Sequence, residues 1–155
     1  MMEDEITKRM LELGVTLPEA SAPAANYLPY VTTGDLLFTS GQLPIKDGKL
    51  MAIGLLGREL GTEAGKLAAK WCAVNVLAQA RAALGDLSRI QQIVKISVFV
   101  ASTPDFTEQH LVANGASDFL AAALGDAGKH ARAAVGMAAL PLNAPVEVEA
   151  IIRYA

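Results

Sequence analysis

The chain has 155 residues, a formal net charge of −3 and 52% hydrophobic side chains. That length and apolar content suit one domain with a real core, and the acidic balance leaves no basic surface for nucleic acid. The apolar runs break too soon to span a bilayer, the Met-Met-Glu-Asp-Glu start is acidic where a signal peptide is basic, and the single Cys72 excludes an intrachain disulfide or a cysteine zinc site; the expectation is a cytoplasmic protein.

Residues 3–13 place Ile6, Met10, Leu11 and Leu13 at helical spacing before Gly14, which predicts a short surface helix closed by glycine. Residues 15–29 hold three prolines and read as an extended arm. Tyr30 to Thr33 and Leu36 to Ser40 flank Gly34-Asp35, a hairpin signal. Gly41-Gln42-Leu43-Pro44 ends the second strand, because proline donates nothing to a ladder. Residues 45–61 are glycine-punctuated and show no clear period. From Thr62 to Leu84 a proline-free run sets Leu67, Trp71, Val74 and Ala78 on one stripe and ends at Gly85, which predicts a long helix.

Ile93 to Ala101 is apolar enough for a central strand. Thr103-Pro104-Asp105 carries helix-start chemistry, with Thr at the N-cap, Pro in the first turn and Asp at the positive end, and predicts a second long helix reaching Leu124 before Gly125. Residues 131–139 and 146–154 complete the pattern as strands. With no repeat or linker, residues 1–155 read as a single domain of α+β class, in the order β-β-α-β-α-β-β: a mixed sheet with two helices packed on one face. Leu36-Leu37-Phe38 and Val98-Phe99-Val100 carry apolar residues towards both faces, so the uncovered face needs a partner, and a homo-oligomer supplies one most simply.

The chemistry concentrates in the last two strands. Arg132 stands alone in residues 131–139, among Ala, Val, Gly and Met, and two alternating glutamates, Glu147 and Glu149, follow on the next strand. A guanidinium stays charged and offers a planar fork that matches a carboxylate. Arg132 is therefore a candidate anchor for an anionic ligand and Glu147 a candidate handler of a proton or water. The plainer reading, which spacing alone favours, makes Glu147 and Glu149 the wet face of a strand and Arg132 their ion-pair partner. Ser40-Gly41-Gln42 lacks the flanks of a nucleophile elbow, so Ser40 is read as a strand end that offers a polar group to a ligand. His110 and His130 have no companion at metal-ligand spacing, and Cys72 beside Trp71 is read as a core residue. Gly54 to Gly61 lacks the lysine and hydroxyl ending of a phosphate loop and is read as a plain loop. Asn114-Gly115-Ala116-Ser117 is odd inside a helix and marks either function or close helix packing.

Together these segments resemble the RidA/YjgF family of reactive intermediate deaminases, also called endoribonuclease L-PSP-like proteins. The likeness runs from Tyr30 to Tyr154. It is carried by Pro29-Tyr30-Val31, Phe38-Thr39-Ser40-Gly41-Gln42-Leu43-Pro44, Val94-Lys95 through Phe99-Val100, Asp105-Phe106, Ala131-Arg132, Leu140-Pro141 and Val146-Glu147-Val148-Glu149-Ala150. The N-terminal helix, the 45–61 segment and Asn114–Ser117 look like a longer subgroup.

The resemblance implies a chorismate-mutase-like fold and a homotrimer with ligand clefts between subunits. It also implies a cofactor-free hydrolysis of 2-imino acids, formed from enamines, to 2-keto acids and ammonia. The family arginine that binds the substrate carboxylate falls on Arg132, and the water-orienting glutamate on Glu147, 15 residues later. The family tyrosine, serine and helix asparagine fall on Tyr30, Ser40 and Asn114. Where typical members carry a cysteine, two residues after the arginine, this chain has Ala134, so only backbone groups serve there. A protein of another class, which binds or senses small carboxylates without turnover, is the competing expectation. A ribonuclease, suggested by the family's older name, fits poorly with the acidic charge.

Overall fold

A computed structural model describes residues 1–23 and 25–155; Ala24, in the predicted arm, lies outside them. Among the described residues the elements are α1 (Glu3–Glu12), β1 (Tyr30–Thr33), β2 (Leu36–Thr39), β3 (Ile45–Lys46), β4 (Lys49–Leu50), α2 (Thr62–Leu84), β5 (Ile90–Ala101), α3 (Gln109–Leu124), β6 (Ala131–Met137) and β7 (Val146–Tyr154). The main sheet has the order β1-β2-β7-β5-β6. β5 and β6 run parallel, and the other neighbours are antiparallel. This is the expected α+β arrangement, with α2 and α3 on one face. No helix among the described residues is long and apolar enough to cross a membrane.

The strands obey the period of two. Val146, Val148, Ala150 and Ile152 of β7 and Ile96, Val98 and Val100 of β5 are buried under the helices. The opposite face presents Val31 and Val135, which are 51% and 44% exposed, together with Phe38.

α2 differs from its predicted stripe. Leu67 is 48% exposed, whereas every residue from Trp71 to Ala80 is buried. A helix apolar all round needs cover on all sides, and α2 finds it in the sheet, α3 and the arm. Long polar side chains of α2 tie down the end of α1 and the arm by donating to their carbonyls: Lys70 Nζ to Leu13 at 2.7 Å, Gln79 Nε2 to Ser21 at 2.9 Å, and Arg81 Nη2 to Pro18 at 3.3 Å.

Three boundaries move. The 45–61 segment, expected without structure of its own, contains the β3–β4 hairpin. Its Asp47 and Gly48 have φ of 53° and 81°, which suits an Asp-Gly type I′ turn. β5 begins at Ile90 rather than Ile93. α3 begins at Gln109, because Thr103-Pro104-Asp105-Phe106 closes a turn in which Phe106 N donates to Thr103 O at 3.1 Å. Proline inside a β-turn, not in a first helical turn, is the use the fold makes of that motif.

Asn114–Ser117 does mark close helix packing. A Cβ on Gly115 would stand 1.9 Å from the Lys66 carbonyl oxygen, so only glycine lets α3 lie this close to α2.

Candidate functional site

β6 is the sheet's edge. In register, Arg132, Ala134 and Gly136 lie beside Ile96, Val98 and Val100, so they share the helix-side face. At an edge that face is only half covered, and the Arg132 side chain reaches along it to α3. Its Nη1 donates to Asn114 Oδ1 at 2.8 Å and to Ser117 Oγ at 3.1 Å, and its Nη2 donates to the His110 carbonyl at 3.2 Å. His110, Asn114 and Ser117 recur at helical spacing and form one face of α3.

All three acceptors are neutral. The ion pairs formed among the described residues are Arg58–Glu59, Lys66–Glu63 and Lys129–Asp126, so the Arg132 charge is balanced by none of them. Of five guanidinium N–H groups, these contacts use three, which leaves Nε–H and one Nη2–H without a partner among the described residues. Ala134, half-buried, follows on the same face. Beside it Gly136 leaves a space that a Cβ would narrow to 3.0 Å from Gln109 Nε2 and Ser102 Oγ.

Tyr30, Ser40 and Glu147 lie elsewhere, at the β1–β2–β7 end. The β2–β7 ladder pairs Phe38 with Ile151, then resumes at Gln42 and Val148, so β2 carries one extra residue between them. Bulges of this kind re-aim side chains and recur next to active sites. Thr39 Oγ1 fills the gap by accepting from Ala150 N at 3.1 Å. Ser40 Oγ donates to the Leu28 carbonyl at 2.6 Å, so its hydroxyl hydrogen is engaged by the arm. Tyr30 packs partly buried against the core. A cavity of about 110 Å³ opens between arm and bulge, lined by Pro23, Tyr27, Pro29, Ser40, Gly41 and Leu142.

Glu147 owes its place to Gly41. A Cβ there would stand 2.7 Å from Glu147 Cδ and Oε2. The Glu147 carboxylate is half-buried and makes no side-chain hydrogen bond among the described residues. Burial raises its pKa above the ordinary value, and the like charge of Glu149 raises it further. Cys72 is fully buried, and burial pushes its thiol well up, consistent with a core residue.

Within one chain the predicted residues thus form two groups. Asn114, Arg132 and Ala134 stand at the β6 edge; Tyr30, Ser40 and Glu147 stand at the bulge. β5 separates β6 from β7, two strand spacings or about 10 Å. Arg132 and Glu147 also point to opposite faces, since Glu147 is in register with Phe99 and Arg132 with Ile96. The ion pair between Arg132 and the two glutamates is therefore not formed. Sequence reasoning passed over Ser117 as a contact of Arg132, although its place three residues after Asn114 was the available signal.

Residues 7–152 match the family described as "YjgF/chorismate_mutase-like, putative endoribonuclease". The chain belongs to that family, as its motifs suggested. It is 49% identical to Protein TCP17 of Trypanosoma cruzi over 149 residues, covering 96% of this chain and 93% of that one. It is 54% identical to the crystal structure of Atu1372 from Agrobacterium tumefaciens, with a TM-score of 0.95 and coverage of 99% and 95%. Against the crystal structure of E. coli TdcF with bound serine the identity is 25%, the TM-score 0.65 and the coverage 91% and 97%.

Proposed function

We propose that this protein is a homotrimeric, cofactor-free hydrolase that converts 2-imino acids, tautomers of reactive enamines, to 2-keto acids and ammonia. The observation that carries the reading is the Arg132 cluster. A guanidinium held by three neutral acceptors keeps its full charge and two free N–H groups for a ligand. A planar carboxylate matches that need in charge and in shape. TdcF, a relative with bound serine, holds a ligand of the same carboxylate class.

In this scheme Arg132 holds the substrate carboxylate, and Asn114 holds Arg132. Glu147 takes a proton from water as the water oxygen bonds to the imine carbon. The same carboxyl returns that proton to nitrogen, which gives a carbinolamine; it then takes the proton of the new hydroxyl, whose oxygen becomes the keto oxygen, and passes it to nitrogen as the carbon–nitrogen bond breaks, so that ammonia and the keto acid leave. A carboxylate with a raised pKa suits both halves of that exchange. Ala134 offers backbone groups beside the ligand, and Tyr30 and Ser40 shape the bulge end of the cleft.

Arg132 and Glu147 act on one ligand only when they come from different copies, because a single chain holds them on opposite faces. The exposed apolar face with Val31, Phe38 and Val135 supplies the surface for such association. The number three follows from the family resemblance.

Ammonia and keto-acid release from imines made in situ by an amino-acid oxidase is the decisive assay. The protein should accelerate it; equal rates with and without protein would leave a carboxylate-binding protein instead. Arg132→Ala should abolish benzoate binding in calorimetry while the circular dichroism stays native. An unfolded variant would make Arg132 a structural residue. Sedimentation equilibrium should give a trimer, and a monomer at micromolar concentration would remove the shared cleft.

A further inference from the structure

The anchor has a support of its own. His130 Nδ1 lies 2.7 Å from the Gly128 carbonyl oxygen, which only accepts. In the neutral imidazole Nδ1 therefore carries the proton and Nε2 is an acceptor. Nε2 lies 2.8 Å from Ser117 Oγ, so the Ser117 hydroxyl donates to it. That direction turns the oxygen lone pairs of Ser117 towards Arg132 Nη1, 3.1 Å away. The relay starts from a rigid point. Gly128 is buried, and a Cβ there would fall 2.1 Å from the Leu120 carbonyl oxygen at the end of α3.

We propose that Ser117 and His130 are positioning residues that fix the Arg132 guanidinium so that its Nε–H and remaining Nη2–H face an incoming carboxylate. This rests on the carboxylate-anchor reading above. Asn114 and Ser117 occupy the two Nη1 hydrogens, and the His110 carbonyl takes one on Nη2. The guanidinium cannot turn about its long axis without breaking these bonds. His130 prevents the Ser117 hydroxyl from turning its hydrogen towards the guanidinium. An arginine so held loses less side-chain entropy on binding, which is the general source of affinity in a preorganised site.

Full-length variants titrated with benzoate test this. Ser117→Ala, at a helical position that favours alanine, and His130→Phe should each weaken benzoate about five- to tenfold, the upper part of the net range for one ordinary hydrogen bond. Ser117→Thr keeps the hydroxyl, and His130→Gln keeps an acceptor at the reach of Nε2; both should stay within about threefold of wild type. The rescue separates positioning from packing. Wild-type affinity in Ser117→Ala and His130→Phe would overturn the proposal. So would equal losses in all four variants, since these two sites would then act only as packing. If Arg132→Ala itself bound benzoate like wild type, the anchor reading would be the one to fail.

Discussion

The β6 edge and the β2–β7 bulge treat charge in opposite ways. At the edge a cation is surrounded by acceptors: Asn114, Ser117 and the His110 carbonyl hold Arg132, and His130 holds Ser117. At the bulge a carboxylate is half-buried, lacks a donor among the described residues and has a second glutamate two residues along its strand. The first region orients its charge through three hydrogen bonds and keeps two N–H groups spare. The second is costly to the fold while ionised, and its proton is correspondingly easier to hold. An anchor benefits from fixed geometry, whereas a proton carrier benefits from a pKa moved towards working pH. That division of labour suits a reaction in which the carboxylate of the substrate stays put and the proton moves.

The largest effect should come from removing the carboxylate proposed to carry the proton. Glu147→Gln should slow imine hydrolysis by roughly 10²-fold or more while benzoate binding persists. Glu149→Gln should cost far less, because the family's water-handling position falls on Glu147, to which Glu149 adds like charge. Comparable losses in both would erase the special status of Glu147, and a simultaneous loss of benzoate binding would mean the two regions are not separable.

Next, the edge can be loosened from behind. Gly115→Ala gains about 1 kcal/mol of helix propensity but drives a methyl to within 1.9 Å of the Lys66 carbonyl oxygen, a backbone atom that has little room to yield. The clash should win, by about 1–3 kcal/mol net in chemical denaturation, and benzoate should bind more weakly as α3 shifts Asn114 and Ser117. A variant as stable as wild type would show that α2 and α3 are not locked where Gly115 crosses.

The smallest effect is thermodynamic. The Glu147 pKa is raised from 4.5, so the folded chain holds that proton more tightly than the unfolded chain. Ionising Glu147 thus costs stability, and this cost grows as pH rises from the ordinary value through the raised one. Glu147→Gln should therefore raise Tm slightly at neutral pH and leave it unchanged well below pH 4.5. A lower Tm at neutral pH would mean that the bulge stabilises the carboxylate rather than straining it.

Much of the fold was readable from local pattern. Gly14, Gly34 and Gly85 sit at positive φ where a helix end or turn was expected, and both helix termini before Gly85 and Gly125 fall as predicted. Alternation in Val146–Tyr154 assigned Glu147 and Glu149 to one face and the core valines to the other, as observed. The β3–β4 turn was also legible, since Asp47-Gly48 is a strong type I′ signal, but two-residue strands give too little period to detect. The start of α3 misled because Thr-Pro-Asp serves a β-turn and a helix N-terminus equally well, and only the tie from Thr103 N to Leu56 O selects the turn.

The candidate site divides along the same line. The amino-acid sequence by itself determined the family and the α+β class and singled out candidates for ligand chemistry, because those depend on residue type, spacing and period. Only the tertiary structure decided that Arg132 is held by neutral acceptors on α3, that Glu147 faces the other side of the sheet beside Gly41, and that Ser117 and His130 join the hydrogen bonds around Arg132. The physical reason is strand order. Periodicity assigns a residue to a face of its own strand, but β5 is inserted between β6 and β7 by long-range pairing, and no local pattern in either strand records which neighbour it will meet.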